Sequence, residues 1–528
     1  MRRFTRAIFL ILGISFILFS SPSADNVAKG IVFEDVNRNL ALDPGEKGVP
    51  GVMVSNQRDV VLTDAQGRYQ IPVGEETVIF ITKPAAYAVP LDAANLAKFY
   101  YIHQPQGSPP RKYAGVKPTG PLPENINFPL FEKSEQDTFE AVVFGDPQPA
   151  GEEQIVFMQK KILSSLVGAP YAFAIALGDE AFDDLNMFDR YIAAMAPLGF
   201  PVYNVPGNHD TNRDQADNRY SLETFKSKFG PSWYSFDQAK AHFVMLYDIR
   251  WYEETVEGKT KIKYKGMFGQ DQLVWLANDL QYVPKDKLVV LAMHIALKTV
   301  ISESDVDNVV DRVRLFDLLK DREHVLVLAG HNHTMEHHFL GQEYGWKGNT
   351  PLHQIICCAL CGAWWGGPKD ELGIPCAIEQ DGTPNGYYVF RFEGNKYSER
   401  FIPAMLPRDY QIRISAPPDK IPLKDLHTQK IVANIFDGSE RSKVVCRVDQ
   451  GHTFEMTRTI MKDPFFEDLY SKYKDLYPSW LSPIVSNHIW VALMPPDLKP
   501  GFHTITVETK DQFGQEYKSC LIFEILQE

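Results

Sequence analysis

FEAVVFGDPQP, residues 139–149, decides how this chain is read: an apolar run broken only by Glu140 stops abruptly at Gly145-Asp146-Pro147-Gln148. A short apolar run bounded by a turn signal reads as a buried strand. The same design returns as FAIALGD (173–179), VYNVPGNHD (202–210), LVVLAMH (288–294) and VLVLAGHNH (325–333). Between these runs Ile155, Met158, Ile162 and Leu166, and later Leu273, Leu276 and Leu280, recur at helical spacing. Strands alternating with amphipathic helices predict a layered α/β core with a central sheet. Open α/β sheets place their sites beyond the carboxyl ends of the strands. Five strand ends are therefore expected to aim Asp, Gln, Asn and His side chains at one crevice.

Outward from this core the pattern changes. Residues 28–131 read as all-β: runs at 29–33, 52–55 and 78–82 are separated by Gly, Pro, Asn and Asp, with a turn at 63–69. Residues 104–123, dense in Pro and Gly, read as a surface loop or linker. From about residue 405 the helices mostly vanish. Runs at 431–436, 443–448, 489–493 and 504–508 read as strands and 463–474 as one helix, which predicts a C-terminal β-sandwich. The expected organisation is a leader at 1–24, a small all-β sandwich at 25–132, the α/β core at 138–404 and a second sandwich at 405–528. A length of 528 residues suits about three domains of roughly 150 residues each.

The leader combines Arg2, Arg3 and Arg6, an apolar stretch from Ala7 to Phe19, and small residues through Ala24. This is the pattern of a secretory signal peptide cleaved near Ser23 or Ala24, and the stretch is shorter than the ~20 residues a spanning helix needs. An exported protein, periplasmic or extracellular, with no integral span after cleavage is expected. The formal net charge of −13 and the lack of a long basic run argue against nucleic acid as a partner. Cys357, Cys358 and Cys361 sit in an apolar run with no second pair of cysteines, so they read as buried residues rather than metal ligands.

Imidazole and carboxylate without thiolate select transition metals such as Mn, Fe or Zn, and one Asp can bridge two ions ~3.5–4 Å apart. The ordered set Gly145-Asp146-Pro147-Gln148, Gly178-Asp179, Gly207-Asn208-His209-Asp210, His294 and Gly330-His331-Asn332-His333 resembles the calcineurin-like metallophosphoesterase superfamily. The resemblance implies a first metal on Asp146, Gln148, Asp179 and His333, and a second on Asp179, Asn208, His294 and His331. It also implies that a metal-bound hydroxide attacks phosphorus, that His209 assists the phosphoryl or leaving oxygen, and that Asp210 orients His209. One departure is Gln148, where the family more often has His; a neutral amide oxygen is a weaker ligand and implies tuning of the first ion. Residues 30–55 with 63–69, and 489–503, look like the sandwiches that accompany this core in exported bacterial members. The implied substrate is a phosphorylated small molecule, lipid or glycan, cleaved as a monoester or diester. The alternative is an exported glycan- or surface-binding protein with a catalytically weakened core.

Other residues carry weaker signals. Asp35, Asn37, Asn39, Asp43 and Glu46 have the spacing of a calcium loop, with Ala41 offering a carbonyl, although Leu40 stands where Gly is expected. A structural calcium there competes with an Asx-rich turn. Trp364 and Trp365 read equally as an aromatic wall for lipid or sugar and as core. Arg213 and Arg219 read as phosphate grips or as solvated loop residues, and His337 and His338 as ordinary core or surface histidines.

Overall fold

The computed structural model describes residues 26–527 apart from 135 and 215, so the leader read at 1–24 lies outside the described residues. At the centre two sheets lie face to face. The first runs in the order Val202–Asn204, Ala174–Ala176, Thr138–Phe144, Gly386–Glu393, Lys396–Pro403. Its first three strands are parallel, and a C-terminal hairpin extends it antiparallel. The second runs Tyr234–Gln238, Ala241–Met245, Leu288–Ala292, Val325–Ala329, Leu352–Ile356, Glu336–Leu340, with the four middle strands parallel. Aromatic rings fill the space between them: Phe173 lies 5.0 Å and Phe139 6.2 Å from Phe243, centroid to centroid. The one central sheet expected from the sequence is thus two. Helices Glu152–Lys161, Met187–Met195, Gln270–Leu280 and Arg312–Leu319 bury Met158, Phe188, Trp275 and Phe316 in the same core.

Because the inner strands are parallel, their carboxyl ends share one edge of each sheet. Main-chain bonds join the two edges: Leu360 N–H donates to Gly145 O (2.7 Å) and Cys361 N–H to Asp146 O (3.1 Å). A groove lined from both sheets results.

The strands between Val27 and Glu132 form two four-stranded sheets. Their apolar residues run into the central core, with Phe99 5.1 Å from Tyr234 and Phe80 6.2 Å from Trp275. Residues 104–127 are not a free linker. Arg111 pairs with Asp217 (2.7 Å) and Asp214 (3.5 Å), and the Tyr113 hydroxyl donates to the Asp183 carbonyl (2.9 Å), so the segment is fastened to the central domain.

The C-terminal strands form a four-stranded and a five-stranded sheet around a separate core that includes Ile431, Trp490, Ile505 and Phe523. Between the paired strands Thr457–Met461 and Ser486–Leu493 the chain leaves this sandwich as an arm. Asp463 caps the arm's helix, Pro464–Tyr473, by accepting from Phe465 N–H (2.9 Å), with Pro464 at the first turn where its missing N–H costs nothing. Phe466, Tyr477 and Leu481 then pack on Ala363 and Ile378 of the central domain. No described helix is long and apolar enough to cross a membrane.

Candidate metal centre

Each strand end turns sharply, and the turns hold strained backbone. Asp146 (φ 27°), Gln148 (40°), Asp179 (57°), His331 (73°) and His333 (51°) all occupy the left-handed region that side chains other than glycine rarely adopt. Such outliers cluster where the surrounding structure enforces a functional geometry. Room is made by glycine: a Cβ on Gly207 would stand 2.2 Å from Asp179 Oδ1, and one on Gly178 2.5 Å from His294 Nδ1.

The turns bring the predicted donors together. Ligand atoms of Asp146, Asp179 and His294 lie within 4.8 Å of one another, all three residues buried. His294 donates from Nδ1 to Leu177 O (2.8 Å), which directs Nε2 to 3.4 Å from Asp179 Oδ2 and 3.0 Å from Asn208 Oδ1. His331 Nδ1 is 3.1 Å from that same Nε2. His333 is held through Nδ1 by Gly362 O (2.6 Å), so its Nε2 faces Asp146 Oδ1 at 3.9 Å. Backbone partners of this kind fix the tautomer that leaves a lone pair for a metal. Gln148 lies with Nε2 donating to Asp179 Oδ2 (3.0 Å) and Oε1 toward the Cys361 thiol (3.8 Å). A half-turn of its amide would present the oxygen instead.

Electrostatics fit a cation. Burial pushes His331 down to about 3 and His333 to about 4, so both rings stay neutral with lone pairs available. Burial pushes Asp146 up to about 7, a cost that nearby positive charge offsets. His294 is raised to about 10, where burial is outweighed by Asp179 and Asp146. Seven nitrogen and oxygen donors, with His294 the cation that balances the two carboxylates, are a fitting set for two metal ions. Their nitrogen and oxygen chemistry suits transition metals.

His209 stands at the mouth of the centre, its backbone N–H donating to Asp179 Oδ1 (2.9 Å). Its Nδ1 contacts Asp183, not Asp210, and Asp183 in turn pairs with Arg213. Burial lowers the basicity of His209, but Asp179 and Asp183 outweigh it and the net pKa is raised. Asp210, adjacent in sequence, points away. It accepts from Gly207 N–H (2.8 Å) and Ala181 N–H (3.2 Å), tying the second and third turns together. The carboxylate that contacts His209 is therefore Asp183, not the expected Asp210. Glu180 is fully buried near Asp210, and burial together with that carboxylate pushes its pKa well up.

Residues the sequence did not point to, Phe182, Tyr264, Asp307 and Trp480, complete the site. With Asn332 and Trp364 they line a cavity of about 380 Å³ over the centre, besides the donors. Trp364 stacks on His333 at 3.8 Å, whereas Trp365 is buried against Phe157. Arg219 pairs with Glu76 (3.3 Å), His337 with Asp437 (2.8 Å) and His338 with Glu336 (2.7 Å), and none of these three lines the cavity. All six cysteines are free, Cys357, Cys358 and Cys361 among them buried. In the loop at 35–46, the Asn37 and Asn39 amides donate to Asp43 (2.8 and 2.7 Å), and Leu40 takes the positive φ (65°) at the position where Gly was expected.

Comparison with known proteins gives three consecutive family matches: N terminal of calcineurin-like phosphoesterase over residues 38–115, calcineurin-like phosphoesterase over 140–335, and C terminal of calcineurin-like phosphoesterase over 355–517. A probable glycerophosphodiester phosphodiesterase GpdQ of Arcobacter nitrofigilis is 29% identical over 163 residues, 30% of this chain and 55% of that protein. The chain thus spans about half the length of this curated relative. Among solved structures, a dimetal phosphatase from Danio rerio aligns over 51% of this chain and 98% of its own at 14% identity, with a TM-score of 0.36. A purple acid phosphatase, PPD1, from yellow lupin aligns over 95% of this chain and 70% of its own at 11% identity, with a TM-score of 0.31.

Proposed function

Because the chain belongs to the calcineurin-like metallophosphoesterase superfamily, we propose that it hydrolyses phosphate esters at a centre of two divalent transition-metal ions, Mn, Fe or Zn. The observation that carries this reading is the convergence of Asp146, Asp179 and His294, with the lone pairs of His331 and His333 turned inward beside Asn208. Asp146, Gln148, Asp179 and His333 would hold one ion, and Asp179, Asn208, His294 and His331 the other. Two bound cations supply Lewis acidity, polarising the phosphoryl oxygens and making water nucleophilic near neutral pH.

The chain's own part is positional. His209, its Nδ1 engaged by Asp183, keeps Nε2 for the substrate, and its raised pKa favours the protonated ring that can donate to the departing oxygen. Asp183 orients His209 and stabilises its charge. Asp210 holds the turn that carries Asn208 and His209.

Hydrolysis of p-nitrophenyl phosphate and bis-p-nitrophenyl phosphate with Mn, Fe, Zn or no metal tests the proposal and ranks monoester against diester. Turnover that needs metal and disappears in Asp179→Asn supports it. No turnover of either ester, with negligible metal in the purified protein, would leave the binding-protein alternative, which Gln148 facing Asp179 with its amide nitrogen favours. Export belongs to the same reading and rests on the leader pattern; the N-terminal sequence of protein recovered outside the cytoplasm checks it. So does a structural calcium at 35–46, for which a Ca²⁺-dependent rise in melting temperature lost in Asp43→Ala is the test.

A further inference from the structure

The cavity has a chemically uneven lining. On the inner side stand the donors of the metal centre, all polar. On the outer side Phe182 stacks on His209 at 4.8 Å, and Trp480 lies parallel to Phe182, 6.1 Å away at 10°. Trp364 meets Trp480 nearly perpendicular, 6.1 Å at 81°. The three rings make a corner immediately beside the position a leaving oxygen would take near His209.

Three features separate this corner from ordinary packing. Trp480 is 60% exposed although its arm is firmly docked: Phe466 and Leu481 are buried, Gly367 N–H donates to Leu476 O (2.9 Å) and Ile484 N–H to Gln380 O (3.1 Å). A rigid segment that presents an indole to solvent at the mouth of a site is built to be covered. Trp364 is held in the left-handed region (φ 50°), a strained conformation for a bulky residue. Asn332, between two of the predicted ligands and 4% exposed, lines the cavity with neither amide atom hydrogen-bonded to protein. An orphaned buried amide calls for a ligand atom.

Charge narrows the occupant. No Lys or Arg is among the described lining residues, so beyond the phosphate at the metals there is no cationic partner for a second anionic group. Arg213, the nearest candidate from sequence, is spent on Asp183.

We propose that the site selects phosphate esters whose alcohol carries a neutral, flat-faced ring, with Trp480, Phe182 and Trp364 covering the ring and Asn332 hydrogen-bonding its polar edge. Aromatic faces stack equally well on a planar heterocycle and on the apolar face of a sugar ring. The C-terminal domain thereby takes part in substrate choice, since Trp480 is its contribution. This inference rests on the phosphoesterase reading above.

The test compares benzyl phosphate, glucose 6-phosphate and glycerol 3-phosphate, all primary-alcohol esters, and their methyl diesters, with the metal-loaded full-length protein and its Trp480→Ala and Trp480→Phe variants. Stacking on one aromatic face is worth about tenfold in binding. The expected result is a kcat/KM for at least one ring ester that falls about tenfold in Trp480→Ala, through KM, and is largely restored in Trp480→Phe. Glycerol phosphate should change less than about twofold, within the uncertainty of a rim contact that the substrate does not make. Which ring ester responds tells a planar ring from a sugar. Equal losses on ring and glycerol esters, or none on any, overturn the proposal. If no ester is turned over, the phosphoesterase reading fails, and calorimetry with benzylphosphonate against methylphosphonate decides the ring site alone. A preference for the benzyl compound that is lost in Trp480→Ala upholds it, and equal binding of the two overturns it.

Discussion

Replacing Gly207 by Ala should disable the centre while leaving the fold intact. The added Cβ would stand 2.2 Å from Asp179 Oδ1 and 2.4 Å from the Asp179 amide nitrogen, where ordinary contact begins at 3.4 Å. Relief therefore needs a displacement of about 1.2 Å, and the side chain that must move is the one expected to bridge both ions. Neither body can yield freely: Asp179 Oδ1 accepts from His209 N–H (2.9 Å) and Gly207 N–H is held by Asp210 (2.8 Å). Misplacement of about 1 Å at a reacting centre costs on the order of 10²-fold in rate, and overpacking of this kind costs about 1–3 kcal/mol in stability. The assay is kcat on p-nitrophenyl phosphate with bound metal measured by elemental analysis, beside a thermal melt. Gly151→Ala is the control, since its Cβ meets nothing within 4 Å. A Gly207→Ala protein with full metal content and undiminished kcat would refute the geometry on which the site is built.

Asp183→Asn should lower kcat and move the alkaline limb of the pH–rate profile to lower pH, because one of the carboxylates that raise the His209 pKa is gone; an unshifted limb would return the orienting role to another residue. Glu180→Gln should leave activity within about threefold and the melting temperature nearly unchanged, since burial and Asp210 favour the neutral form that the amide mimics. Asp210→Ala, by contrast, should cost about 1–3 kcal/mol through the buried Gly207 and Ala181 amides it abandons, read as a drop in denaturation midpoint. Away from the site, His242 is clasped by Asp237 and Asp279, each at 2.7 Å, and although burial works against its charge these carboxylates raise it to about 9. A raised folded-state pKa stabilises fully below the ordinary value near 6.5 and is lost as pH climbs through about 9. Urea melts at pH 6 and pH 9.5 should therefore differ by about 3 kcal/mol from this group, and a difference below about 1 kcal/mol would deny the charged clasp.

The strand ends were legible because an apolar run halted by Gly and a ligand is a local signal; Val325–Ala329 begins and ends where its pattern does. Which sheet a strand joins was not legible, because pairing partners are distant in sequence: Thr138–Phe144 takes Gly386–Glu393 as its neighbour. The expected metal donors follow the strands and so could be named. Asp183 could not, as it lies in a loop with no period and its meaning depends on which way His209 turns. Asp210 misled for the reverse reason, since consecutive residues at a tight turn face opposite ways. Trp480 was hidden most completely. It sits 147 positions beyond His333 in the chain, and only the docking of the arm brings it to the cavity.

The separate cores of this molecule also set an order in which its proposed capacities are lost on heating. The first sandwich and the central sheets share one continuous apolar interior, while the C-terminal sandwich has its own. Calorimetry should resolve two cooperative units, with the C-terminal one free to melt alone. The expected metal donors all lie in the first unit, whereas Trp480 stands on the arm that leaves the C-terminal sandwich and packs on Ala363 and Ile378; on the proposed reading, heating that frees the arm would leave a centre that still cleaves but no longer discriminates. On that proposal, selectivity is a detachable property, carried by a docked arm rather than by the sheets that hold the centre.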